Sequence, residues 1–244
     1  MILFGKTDIG RVRPSNQDNF ALRTFEGEKY FAIVCDGMGG YAGGNVASEI
    51  AVKTSVETVE EMLPISDIEA ALKNALDKSN NMIYAQALKS EELANMGTTA
   101  VAVWVENGTA TIAHVGDSRA YVYSEGKLTQ LTHDHSLVQT LIDNGTITPE
   151  EAKTHPYKNV ITQALGKDTL PVPSFVEYQL KENDVILICT DGLTNMLDDE
   201  QIENILSSRT EITQEACEAL VDAANENGGT DNITAVLMVN RNEE

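Results

Sequence analysis

The sequence predicts an α+β layered sandwich, in which sheets of mainly antiparallel strands have long helices packed outside them. Three observations carry this prediction. In "TTAVAVWVENGTATIAHVGD" two β-rich runs flank Asn107-Gly108, the residue pair favoured in a type I′ hairpin turn. A second hairpin reads in "RAYVYSEGKLTQLT", turning at Glu125-Gly126. Ahead of both, residues 45–62 and 66–89 carry apolar side chains at helical spacing, with acidic or hydroxyl residues near their starts. Hairpins join antiparallel neighbours, which argues against a doubly wound parallel sheet.

Taken from the N-terminus, "DNFALRTFEGEKYFAIVCD" reads as two strands joined by the turn Glu26-Gly27-Glu28. The two helices and the two hairpins follow. Residues 136–143 read as a short helix with a capped start at Ser136, and 144–170 as an irregular stretch. A strand at 184–190, a helix at 213–226 and a final strand at 232–239 complete the order. No linker interrupts the chain, so residues 1–244 read as one domain.

The composition is globular and strongly acidic: 42% of residues are hydrophobic, and 17 Lys and Arg stand against 38 Asp and Glu, a net charge of −21. With no basic patch, neither duplex nucleic acid nor an anionic membrane is an expected partner. Cys35, Cys189 and Cys217 are odd in number and lack C-x-x-C spacing. Two of them lie in apolar strands, where a free thiol behaves as a small hydrophobe. This suits a reducing compartment. No apolar run has the length of a membrane span or of a leader's core, so the expected location is the cytoplasm.

The functional signal is a recurring aspartate. "YFAIVCDGMGG" runs as an apolar strand into Asp36, and five glycines follow within residues 37–44. "DVILICTDGL" repeats the pattern at Asp191-Gly192, and "ATIAHVGDSR" places Gly116-Asp117 between two strands. "NGGTDNITAVLMV" reverses it, with Asp231 just ahead of the last strand. A carboxylate at the edge of a core is disfavoured unless it is paired, hydrogen-bonded or bound to a metal. If these strand ends lie together, the acids repel unless a cation joins them. Oxygen ligands suit hard divalent ions: Mg²⁺, Mn²⁺ or Ca²⁺. Any one Asp-Gly pair is accounted for as a turn; four at strand ends are not.

Other polar features weigh less. Gly37-Met38-Gly39-Gly40-Tyr41-Ala42 fits a dinucleotide fingerprint, but Asp36 beside it would oppose a pyrophosphate and the sheet is mostly antiparallel. In "RPSNQDN", Arg13 offers a planar fork suited to phosphate, and Asp18 is either a supporting acid or a turn residue. His133 and His135 in "THDHS" fit the start of the helix at Ser136 better than a metal pair, and His114 fits a satisfied core position.

Six motifs in order, "RPSNQD", "DGMGG", "GTTA", "GDSR", "TDGL" and "GGTDNIT", resemble the metal-dependent serine/threonine protein phosphatases of the type 2C (PPM) family, in its stand-alone bacterial branch. The resemblance spans nearly the whole chain. It implies a four-layer αββα sandwich with a two-metal Mn²⁺ or Mg²⁺ centre in a cleft at one edge. By motif, Asp36 would bridge both ions, the Gly37 carbonyl would bind the first, and Asp191 and Asp231 would hold the second. Asp117 with Asp191 matches a possible third-ion position. Arg13 would hold the substrate phosphate and Asp18 would orient the attacking water, with Asn232 in support. The stretch 144–170 matches the family's flap.

One departure stands out. Animal members carry histidine where this chain has Met38, and a thioether cannot protonate a leaving alkoxide. The proton is then expected from water near Asp117. The implied reaction is direct hydrolysis of phosphoserine or phosphothreonine by a metal-activated water. The implied partners are phosphorylated proteins and an opposing Ser/Thr kinase, with the enzyme a monomer. A non-catalytic binding module and a small-metabolite phosphatase are the rival readings; the first should lack ligand carboxylates, and none is missing.

Overall fold

The computed structural model describes residues 1–241, with all side chains except those of Tyr41 and Ala42. The C-terminal end of the expected 1–244 domain lies outside the described residues. One sheet has the order β1 (Ile2–Asp8), β11 (Ile233–Val239), β10 (Val185–Cys189), β7 (Arg119–Ser124), β8 (Lys127–Gln130). The other has the order β2 (Asp18–Phe25), β3 (Lys29–Met38), β5 (Ala100–Glu106), β6 (Thr109–Val115), β9 (Ser174–Gln179), and the two-residue β4 (Gly97–Thr98) pairs the end of β3. All of these pairings are antiparallel.

Three apolar layers define the sandwich. Alternate residues of each strand point to opposite faces. In β3, Phe31, Ile33 and Cys35 pack against α1 (Gly40–Glu61) and α2 (Ile68–Ala87), whereas Ala32 and Val34 join the layer between the sheets. In the facing sheet, Ile186, Ile188, Val236 and Met238 fill that middle layer, while Leu187, Cys189, Ala235 and Leu237 face the other helices. Those helices are α5 (Asp191–Thr194), α6 (Asp199–Ser207) and α7 (Gln214–Glu226). Central strands are therefore buried on both faces, which is why "AVAVWV" and "VILIC" read as unbroken apolar runs. The order of layers is αββα, as expected.

Both hairpin turns have the expected geometry. Asn107 and Gly108 have φ of 52° and 73°, and Glu125 and Gly126 have 53° and 83°, the paired positive values of a type I′ turn. Three readings need correction. Strand β3 does not end at Asp36 but runs on through Gly37 to Met38, pairing β4. Helix α1 starts at Gly40, not at residue 45, because its glycine-rich first turn packs against neighbouring backbone. The stretch 144–170 contains α4 (Pro149–Lys153), closed by a Thr148–Glu151 capping box. Edge strands β1 and β9, with mostly half-exposed residues, and helices α5 and α6 were not legible in the apolar pattern.

Candidate active site

At one edge of the sandwich a cleft of about 500 Å³ is lined by Arg13, Asp36, Gly37, Met38, Asp117, Asp191, Asp231 and Asn232, among others. The topology makes this cluster. Asp36 is in register with Asp18 across β2 and β3, and Asp117 sits in the connection from β6 to β7. Asp191 opens α5 directly after β10, and Asp231 precedes β11. All six predicted side chains and Gly37 therefore converge, from five places in the sequence.

The backbone at Asp36 is pinned from both sides. Its N–H donates to Thr99 Oγ1 at 3.0 Å, and its carbonyl accepts from Thr99 N at 2.9 Å and Thr98 Oγ1 at 2.8 Å. Thr99 Oγ1 also shares a hydrogen bond of 2.7 Å with Ser118, next to Asp117. Residues of the "GTTA" and "GDSR" motifs thus tie the Asp117 corner to Asp36. Gly37 is required by space: a Cβ there would lie on the carbonyl oxygens of Gly44 and Gln17.

Asp18 is not a turn residue. It is buried, and its Oδ2 accepts from the hydroxyls of Thr190 at 2.8 Å and Thr234 at 2.7 Å, which join the two sheets. Its Oδ1 is buried without a protein partner, and so is Oδ1 of Asp191, whose Oδ2 accepts from Asn195. Asn232 uses its whole amide on the loop that carries Arg13. Its Oδ1 accepts from Gln17 N, and its Nδ2 donates to the carbonyls of Ile9 and Ser15. Arg13 Nη2 donates to Asp231 Oδ2 at 2.6 Å.

A family model described as "Protein phosphatase 2C" matches residues 10–237. The chain belongs to the protein phosphatase 2C family. It is 40% identical to "Serine/threonine phosphatase stp" of Listeria welshimeri serovar 6b, across 97% of this chain and 94% of the relative. It is 38% identical to "Protein phosphatase PhpP" of Streptococcus pneumoniae, across 98% and 96% respectively. The catalytic domain of serine/threonine protein phosphatase PstP, solved in complex with two manganese ions, superposes with a TM-score of 0.84 at 33% identity, covering 97% of this chain and 96% of that one.

The electrostatics of this phosphatase 2C cleft are those of crowded acids. Burial is the largest cause at Asp18, Asp36, Asp117 and Asp191, and mutual repulsion adds to it. It pushes Asp18 and Asp117 up to about 7 and raises Asp36 and Asp191 as well. At Asp191 the hydrogen bond from Asn195 partly offsets the rise. Among the described residues, no three His, Cys, Asp or Glu side chains draw together into a tight metal cluster. The acids line the walls of the cleft, where Arg13 pairs with Asp231. The donor set still fits hard divalent ions, because every side-chain donor is a carboxylate oxygen and the buried Oδ1 of Asp191 has no other partner.

The remaining sequence readings also find their places. His114 Nε2 contacts the His133 carbonyl at 2.9 Å inside the sheet, but its Nδ1 has no protein partner, so it is only half satisfied. Ser136 caps α3 (Leu137–Asp143). His135 clamps Gly116: its backbone N–H donates to the Gly116 carbonyl at 2.9 Å, and its ring Nδ1 accepts from Gly116 N. Cys35 and Cys189 are buried thiols raised by desolvation first and by the nearby acids second, Cys189 to about 12 and Cys35 further. Asn159 and Ile161, within the stretch 144–170, also line the cleft, and no sequence pattern singled them out.

Proposed function

We propose that the chain is a metal-dependent protein serine/threonine phosphatase that hydrolyses phosphoserine and phosphothreonine by direct attack of water. The observation that carries this reading is one cleft lined by Asp36, Asp117, Asp191 and Asp231, the first three with raised pKa values, with Asp18 buried beside Asp36 and Arg13 paired to Asp231 at the rim. Asp36, the Gly37 carbonyl, Asp191 and Asp231 would hold two Mn²⁺ or Mg²⁺ ions, and Asp117 with Asp191 a third. When bound, such ions supply hydroxide near neutral pH and neutralise the phosphoryl oxygens.

The chain's own residues do the rest. Arg13 is 52% exposed on its side chain, so its ion pair with Asp231 contributes little and is readily exchanged for a substrate phosphate. Asp18, fixed through Oδ2 by two threonines, presents its unpartnered Oδ1 to orient water. Met38 lines the cleft but has no proton to give, so the leaving oxygen takes its proton on the Asp117 side. The thiols are too basic to serve as nucleophiles, which favours direct hydrolysis over a cysteinyl intermediate.

The substrates are phosphorylated proteins, with a Ser/Thr kinase acting in opposition, and the enzyme works as a cytoplasmic monomer. Three buried free cysteines support a reducing compartment, and no described helix is long and apolar enough to cross a membrane. The test is hydrolysis of a phosphothreonine peptide beside sugar phosphates, in chelator and then in excess Mn²⁺. Peptide turnover that chelator abolishes and Mn²⁺ restores is expected. Full turnover in chelator would overturn the metal-dependent reading, and preference for sugar phosphates the protein-substrate reading.

A further inference from the structure

The catalytic cleft does not end at Met38. A second groove, of about 270 Å³, begins there and is lined by Met38, Ile161, Gln163, Lys167, Leu170 and Pro171, among others. Met38 and Ile161 border both spaces, so the groove is continuous with the cleft. Its outer lip bears large apolar side chains in water: Leu170 is 52% exposed and Val172 73%. Single exposed apolar residues are ordinary, but a joined set beside a reaction cleft is not.

This lip is held rigidly. Asn80 on α2 donates from Nδ2 to the carbonyls of Lys167 and Thr169 and accepts at Oδ1 from Gly166 N and Lys167 N. Leu165 bridges Thr98, the residue that also bonds the Asp36 carbonyl. Gln163 Oε1 accepts from Val172 N, closing the end of the groove. The backbone that carries Leu170 is thus fixed before anything binds, so little beyond side-chain rotamer entropy is lost on burial.

We propose that this groove is a specificity subsite, taking an apolar side chain close in sequence to the phosphorylated residue. The inference rests on the phosphoprotein reading above. The occupant follows from continuity with the cleft and from the chemistry of the walls. A segment whose phosphate sits at Arg13 must leave the cleft past Met38 or on the opposite side. On the Met38 side it meets methionine, isoleucine, leucine and proline beside the uncharged Thr162, Gln163 and Thr169, with Lys167 the only charged lining residue among those described. The other groove that opens off the cleft, past Asp117 and Asp191, also has apolar residues such as Ile142, Met196 and Leu197, but sets them among Arg119, Asp134, Lys153, Lys158, Asp198 and Asp199, whose desolvation would oppose burial of an apolar side chain there.

The test is a set of phosphothreonine peptides in a glycine-serine background, each with leucine or aspartate at one of three positions on either side. At one position leucine should raise kcat/KM about tenfold over aspartate, the factor expected for burying most of an aliphatic side chain. Leu170→Asp should erase that preference while leaving p-nitrophenyl phosphate turnover and the melting temperature unchanged, and Leu170→Met should keep it. Peptides hydrolysed within twofold of one another at every position would overturn the subsite alone. A preference that Leu170→Asp leaves intact would overturn it too. Turnover of p-nitrophenyl phosphate but of no peptide would bring down the phosphoprotein reading, and the subsite with it.

Discussion

Three residues divide the work of the cleft in ways that kinetics can separate. In the proposed reading Arg13 meets the phosphate, so Arg13→Ala should raise KM by about ten- to a hundredfold, the loss of one charge-assisted contact, with kcat less affected. Asn232 spends its side-chain amide on the loop from Ile9 to Gln17 that carries Arg13. Asn232→Ala should therefore raise KM in the same direction, and the double variant should be no worse than Arg13→Ala alone. Additive losses in that cycle would mean that Asn232 acts elsewhere. In the same reading Asp117 is the side on which the leaving oxygen gains the proton that Met38 cannot give. Nitrophenolate leaves readily as an anion and a serine alkoxide does not, so Asp117→Ala should impair phosphopeptide hydrolysis far more than p-nitrophenyl phosphate hydrolysis. Equal losses on both substrates would move Asp117 into the core of the metal site or the fold.

At the scale of elements, the cleft depends on backbones that approach more closely than a side chain permits. Gly37 lies between Gly44 and Gln17, and Gly192 lies against the carbonyl of Asn232. Gly192→Ala should push α5 away from the loop before β11, separating Asp191 from Asp231. The expected result is a lower melting temperature together with weaker Mn²⁺ binding by calorimetry; unchanged affinity for the ion would show that the spacing is not set here. The Asn80 clamp belongs to the same scale. Asn80→Ala removes four hydrogen bonds and strands the buried amide of Gly166. A loss of about 2–3 kcal/mol is expected in urea denaturation, the penalty for an unsatisfied buried polar group with its lost partners.

For the whole molecule, the acid cluster sets a pH dependence of stability. Asp18 and Asp117 are pushed up to about 7 in the fold, and an unfolded aspartate titrates at about 3.9. Between those values the folded chain keeps protons that the unfolded chain has released. The folded state therefore binds more protons, and stability falls as pH rises from about 4 to about 7. In chelator, the urea midpoint should decline across this window, and Asp18→Asn should flatten the decline. Divalent ions should reverse it by stabilising the charged carboxylates. A midpoint in chelator that rises across the same window would contradict the raised values. The protein's net charge of −21 makes the effect larger at low salt, where repulsion is least screened.

What the sequence determined by itself was local and repeated. Asn107-Gly108 and Glu125-Gly126 dictate turns through backbone geometry, and unbroken apolar runs such as "VILIC" mark strands buried on both faces. The Asp-Gly repeats showed which carboxylates were out of place in a core, and six ordered motifs tied them to a family. Edge strands β1 and β9 escaped because half-exposed residues carry little periodic signal. Only the tertiary structure decided who supports whom. Asp18 stood open between a supporting acid and a turn residue until two threonines from the other sheet were seen to hold it, and Asn232 was a name in a motif until its amide bridged Ile9, Ser15 and Gln17. The groove beyond Met38 is assembled from residues 38, 161–164, 167 and 169–171, which are brought together by the Asn80 clamp and the Thr98–Leu165 bridge. Contacts across such separations leave no period or spacing in the chain, because they are fixed by the packing of the two sheets rather than by local backbone preference.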